Sequence, residues 1–287
     1  MTALQRAFTG RSAYLLIAPA ALWLGLFFLF PMLSLLTTSL SDPSGSPVYG
    51  YELTWRLQNY GEALADYWPY MVRSLFYAGI ATAICLVLGF IIAYAIAFKA
   101  GRFKTIMLVL VIAPFFTSFL VRTLSWKLIL ADNGWVVETL KALHFMPDDG
   151  RLLATPVAVV AGLTYNFLPF MILPLYTSLE KIDPRLNEAA ADLYANPAQR
   201  FAKVIWPLAL PGVVGGTLLT FIPATGDYIN ASLLGSPNTQ MVGNKIQALF
   251  TTAGDYPHAA ALSVILMVLI VGMVLVYVRR AGTEDLL

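Results

Sequence analysis

Few residues in this chain have the type and spacing to do chemistry, and those few are set in apolar sequence. The two histidines, His144 and His258, are far apart and fit no HExxH or similar ligand spacing, so structural or solvated roles are expected for both. The single cysteine, Cys85, excludes an intramolecular disulfide or a thiolate metal cluster and reads as a small buried side chain. There is no Gly-Lys dipeptide, hence no phosphate-binding loop, and no nucleophile-elbow sequence. The expectation is a non-enzyme that binds no metal or cofactor of its own. What remains are polar groups in unusual company: Asn166 in Thr164-Tyr165-Asn166-Phe167, Asp227 beside Tyr228, and the compact stretch NEAAADLYANPAQRFAKVIWPLALPG from Asn187 to Gly212.

The elements that must position these groups follow from composition. The 287 residues are 59% hydrophobic and only 12% charged, with a mean hydropathy of +0.72. A soluble domain has about a quarter of its residues charged, so the solvent for most of this chain is lipid. A net charge of +2 gives no general basic field for nucleic acid. A membrane-spanning helix needs about 20 mostly apolar residues. Six stretches free of Asp, Glu, Lys and Arg meet or approach that length. They predict an all-α integral membrane protein, a single domain over residues 1–287, with spans near 13–40, 74–98, 105–126, 152–179, 204–226 and 259–278. The first run is too long for a signal-peptide core and reads as a retained span. The third is the shortest and contains Pro114; its helix is expected to continue through Arg122 towards Trp126, with the arginine snorkelling. No span carries an ionisable group at depth on this reading.

Orientation follows from Lys and Arg. With the N-terminus inside, eleven of the eighteen basic residues fall on the cytoplasmic side, among them Arg6, Lys99, Arg102, Lys104, Lys203 and Arg279. Both termini and the polar stretch near 190 are therefore expected in the cytoplasm, between the fourth and fifth spans. Within that stretch Asp183-Pro184 and Asn196-Pro197 are both helix starts, each a capping side chain followed by proline at the first helical position. Leu186, Ala189, Ala190 and Leu193 share one face of the first short helix, and Glu188 and Asp192 fall on another. Two short helices meeting at a sharp turn on the cytoplasmic face are predicted. An ordinary loop lying on the headgroups accounts for the same signals.

The pattern Glu188-Ala189-Ala190, a turn, then Val204-Ile205-Trp206-Pro207-Leu208 before a span resembles the EAA loop of ATP-binding-cassette (ABC) importer permeases. The resemblance implies that the loop is a coupling helix seated in a groove of a separate ATPase subunit, which uses ATP and Mg. Glu188, Ala189 and Ala190 would face that subunit, with Asp192 and Arg200 in support. It also implies a second, homologous permease subunit and an extracytoplasmic solute-binding protein, in a prokaryotic inner or plasma membrane. Tyr194 stands where the family usually has glycine, and a left-handed tyrosine is costly, so the turn is expected to shift to Ala195-Asn196-Pro197.

The stretches APFFTSFLVRTLSWKLIL, LPLYTSLEKIDPRLNEAA and FIPATGDYINASLLG resemble, within that family, permeases of spermidine/putrescine importers. Permeases for iron, thiamine or sulfate share the architecture and stay open as alternatives. A polyamine needs carboxylates for its ammonium groups and aromatic faces for cation–π contact and stem packing. Asp227 and Tyr228, taken to end the fifth span on its outer side, match that chemistry, and Tyr165 with Asn166 would continue the route inward. Each has a structural explanation too: a solvated helix end for Asp227, an interhelical hydrogen bond for Asn166. The spacing Gly212-Val-Val-Gly-Gly216 lets helices approach closely, within this chain or against a second permease. The rival classes are an ion-coupled carrier, which would set ionisable residues deep in its spans, and a membrane scaffold, which would have no use for a docking loop.

Overall fold

The structure, a computed structural model, describes residues 10–280; Arg6 and the two ends of the chain, expected in the cytoplasm, lie outside these. The described residues are helical apart from loops and two isolated backbone bridges, Ser41–Leu53 and Ser46–Gly50. The helices are α1 (Gly10–Leu24), α2 (Phe30–Ser39), α3 (Gln58–Phe98), α4 (Lys104–Ile112), α5 (Phe119–Ile129), α6 (Trp135–Ala142) and α7 (Pro156–Glu180). They continue as α8 (Pro184–Asp192), α9 (Pro197–Arg200), α10 (Trp206–Thr225), α11 (Ile229–Leu234), α12 (Val242–Ala248) and α13 (Tyr256–Arg280). Five helical stretches are long and apolar enough to cross a membrane, and the bent pair Gly101–Phe116 and Phe119–Ile129 makes a sixth if taken as one crossing.

Two helix junctions show how proline is accommodated. A single π-helical turn, Gly25–Leu29, joins α1 to α2 just before Pro31, and another, Phe201–Ile205, joins α9 to α10 just before Pro207. In each, the residue preceding the proline donates five residues back, Phe30 to Gly25 and Trp206 to Phe201. Proline has no N–H to give, and the widened turn lets the helix run on through the misfit.

The third span departs most from expectation. It is not one helix over 105–126: α4 ends at Ile112, residues Ala113–Phe116 form a 3-10 turn, Thr117 and Ser118 are extended, and α5 leaves at 94°. Pro114 removes a donor from the helix ladder, and the Thr117 hydroxyl donates to the Pro114 carbonyl at 2.8 Å, holding the chain in the turn. Elsewhere the differences lie at boundaries: α3 starts at Gln58 rather than near 74, which makes the end of the preceding loop helical.

The described residues divide into two packing units, 10–66 with 248–267 and 67–247 with 268–280. In the first, the Asn59 side chain donates to the carbonyls of Ser39 and Ser41 at 3.0 and 2.8 Å, and so satisfies the end of α2. His258 is held between Asp255 (Nδ1, 2.7 Å) and Glu62 (Nε2, 3.0 Å), which bears out its structural role. Trp23, Phe27 and Phe30 of the first span are exposed, as lipid-facing residues should be.

The core of the second unit is the antiparallel pair α7 and α10. Gly212 and Gly216 make that contact possible. A Cβ at Gly212 would fall 2.6 Å from the Pro174 carbonyl oxygen, and one at Gly216 2.8 Å from the Met171 sulfur. The small-residue spacing is thus used inside the chain. Cys85 is fully buried and donates to the Thr164 carbonyl at 3.3 Å.

Candidate functional site

Two groups of sequence-predicted residues can be located, one on the loop between α7 and α10 and one in the interior of the second unit.

On the loop, both helix starts form as their local chemistry requires. The Asp183 carboxylate accepts from the Arg185 N–H at 2.9 Å, with Pro184 at the first helical position. Asn196 and Gln199 make a reciprocal capping box, at 2.8 and 3.0 Å. Between them the turn does not shift to Ala195-Asn196-Pro197. Tyr194 itself takes the left-handed conformation, φ +59°. Its N–H donates to Ala191 O at 2.9 Å and the Ala195 N–H to Ala190 O at 3.1 Å, a Schellman termination with tyrosine in the glycine position. A left-handed non-glycine residue costs about 1–2 kcal/mol. Two donated hydrogen bonds and the capped start of α9 hold it there.

This geometry sets the surface of the loop. Leu193 is 82% and Tyr194 97% exposed, and Glu188, Ala189 and Asp192 are exposed on α8, with Ala190 and Arg200 half-buried. An apolar and aromatic tip beside small alanines and two carboxylates suits a protein groove better than bulk water. Glu188 also lines a cavity of about 280 Å³ with Tyr94, Lys99, Asp183 and Asn187, at the join of α3 and α8.

In the interior, Asn166 and Asp227 are brought together and Tyr165 is not. The Asn166 amide, 1% exposed, donates to Thr123 Oγ1 at 3.2 Å and to Asn230 Oδ1 at 3.1 Å. The Asn230 N–H donates in turn to Asp227 Oδ1 at 2.8 Å. Asn166 therefore makes the interhelical bonds that mid-membrane burial demands. It lies about 15 Å along α7 from its Pro156 end, well within a hydrocarbon core.

The position of Asp227 is a correction. It does not end a span in solvent: α10 stops at Thr225, the chain turns at Gly226-Asp227-Tyr228, and α11 starts beside Asn166. Asp227 is only 9% exposed and is held at the depth of Asn166. Tyr228 follows it, partly exposed, its carbonyl accepting from Asn244 Nδ2 at 2.9 Å. Tyr165 is on a different side of α7, its ring inclined against that of Trp126 with centroids 5.3 Å apart, and lines two apolar cavities of about 300 and 600 Å³.

Arg122 is a second correction. It does not snorkel; it is 8% exposed, with its guanidinium 5.5 Å from the Phe115 ring centre and 5.7 Å from that of Phe119. Its neighbour Thr123 bonds to Asn166, so Arg122 too is at mid-depth. The expectation that no ionisable group lies deep in the spans does not hold. Sequence reading also missed Asn230 and Asn244 as parts of the interior network; among the many polar residues that follow Asp227 nothing local marks these two amides as the buried ones.

A chain of five or six membrane-crossing helices with a capped two-helix loop before its next-to-last long apolar helix, and an interior network where α5, α7 and α11 meet, has the architecture of an importer permease. Residues 86–281 match the family described as binding-protein-dependent transport system inner membrane component, and the chain belongs to it. It is 39% identical over 258 residues to the spermidine/putrescine transport system permease protein PotB of Haemophilus influenzae, covering 90% of each chain. To PotB of Escherichia coli it is 38% identical over 261 residues, covering 90% of this chain and 94% of that one. A bacterial ABC transporter importing the polysaccharide alginate has a chain of the same fold, with a TM-score of 0.75 and 16% identity over 95% of this chain and 96% of that chain. The chain is a multi-pass inner-membrane permease of the ABC importer type, homologous to PotB.

Proposed function

We propose that this chain forms half of the translocation pathway of a polyamine importer and couples it to a separate ATPase. The observation that carries the substrate class is the identity with two spermidine/putrescine permeases over nine-tenths of the chain. A buried carboxylate at Asp227, next to the aromatic Tyr228, supplies the chemistry an ammonium group needs at mid-depth.

The assembled importer contains this permease, a homologous second one, two ATPase subunits that consume ATP with Mg, and an extracytoplasmic binding protein. The loop of α8 and α9 is cytoplasmic and enters the ATPase. Glu188, Ala189 and Ala190 make the contact, flanked by Leu193 and Tyr194, with Asp192 and Arg200 at its edge. The chain itself hydrolyses nothing. In the pathway Asp227 and Tyr228 hold the substrate, Asn166 fixes the Asp227 turn through Asn230, and Tyr165 has a packing role.

The test is uptake by the reconstituted complex. Radiolabelled spermidine and putrescine should enter proteoliposomes only with ATP and the binding protein present. Uptake of sulfate, thiamine or iron without polyamine uptake would replace the substrate while leaving the permease assignment in place.

A further inference from the structure

We propose that Arg122 is a fixed positive charge that bars small cations from crossing the permease at rest. The inference builds on the permease reading and adds a residue that the substrate chemistry does not call for. Arg122 is buried at the start of α5, immediately after the break between α4 and α5. It makes no ion pair among the described residues, and its Nε and Nη1 have no hydrogen-bond partner there. The faces of Phe115 and Phe119 offset part of the cost of burying that charge. Those rings stand against Phe170 and Phe167, with centroids 5.1 and 6.1 Å apart, so the guanidinium sits on an aromatic cluster at mid-depth.

An uncompensated cation in this position is expensive for the fold, and a neutral residue of similar size would remove the cost. Asp227, the carboxylate at the same depth, makes no ion pair with it among the described residues: Thr123, Asn166 and Asn230 form the hydrogen-bonded chain that links the α5 backbone to the Asp227 turn. Two interrupted helices therefore meet here, one offering a carboxylate and the other a positive charge. In a medium of low dielectric constant that charge repels an approaching cation over several ångströms, and a ring of phenyl groups leaves the intruder no compensating water. Potassium ions and protons are excluded at rest. A polyamine passes only when α5 turns about the extended joint at Thr117–Ser118 and carries Arg122 aside.

The experiment reads ion leak in proteoliposomes holding the whole complex, with neither ATP nor binding protein, by efflux of trapped potassium. The parental complex and Arg122→Lys should be tight. Arg122→Gln and Arg122→Met should leak about ten-fold faster or more, as expected when a charge barrier is lost. If either neutral variant retains its ATPase and is as tight as the parent, the proposal is wrong. If neither neutral variant assembles, Arg122 is a structural charge and the proposal falls as well. The readout needs no polyamine, so failure of the polyamine assignment would show separately, in spermidine uptake.

Discussion

The backbone N–H of Tyr194 donates to the Ala191 carbonyl at 2.9 Å while Tyr194 holds φ at +59°. A tyrosine closes the α8 helix where a glycine would do so without strain. Its side chain is almost wholly exposed, so nothing within the described residues requires the ring. The strain belongs with the surface the loop presents.

That relationship separates backbone from side chain at position 194. Tyr194→Gly should stabilise the loop by up to about 1 kcal/mol, since the turn is kept and the strain removed. Tyr194→Val, branched at Cβ, should be the more damaging change, because it cannot hold a left-handed turn cheaply. Co-purification of the ATPase with each variant checks the order; a valine variant that retains more ATPase than the glycine variant would refute the role given to the turn.

The docking face itself is tested at α8. Ala190→Trp should fill the space an incoming surface needs, and Glu188→Lys should reverse an anchoring charge. Both should lower ATPase retention and transport severalfold while membrane insertion is unchanged. Full coupling in both variants would take the loop out of the interface.

Topology is open to labelling. In a Cys85→Ser background, in which the serine can keep the hydrogen bond to Thr164, cysteines at positions 46 and 101 should behave oppositely towards a membrane-impermeant reagent. With the outer-membrane barrier removed, position 46 should label on whole cells and position 101 only after lysis. The reverse pattern would invert the orientation.

The interior network makes two distinguishable predictions. Asp227→Asn keeps the shape and the acceptor for Asn230 but loses the charge, so it should depress spermidine transport at normal assembly. Asn166→Leu removes two interhelical hydrogen bonds and should destabilise the permease by roughly 1–2 kcal/mol, seen as an earlier thermal transition in detergent. An Asp227→Asn complex with parental transport across a range of spermidine concentrations would reduce Asp227 to a helix cap.

Where the spans and loop lie was legible in the residue order, because the deciding forces are local or additive. Hydrocarbon thickness fixes how long an apolar run must be, and five helices and a bent pair were found where such runs occur. Asp183-Pro184 and Asn196-Pro197 start their helices through contacts within three residues, so no distant partner was needed. The burial of Asp227 was not legible, since hydropathy counts residues and does not say that α10 stops at Thr225 and that α11 then leads the chain back beside Asn166. That is decided by Asn166 on α7, 64 residues from its partner Asn230. The burial of Arg122 was hidden for the same reason: a long side chain can snorkel or fold back, and only the break at Pro114, which brings Phe115 and Phe119 beneath the guanidinium, decides between them. At Tyr194 intrinsic preference pointed away from the observed turn, and the caps on either side overrode it. Local chemistry determined which elements exist; long-range hydrogen bonds and packing decided where the chain interrupts them and what it buries there.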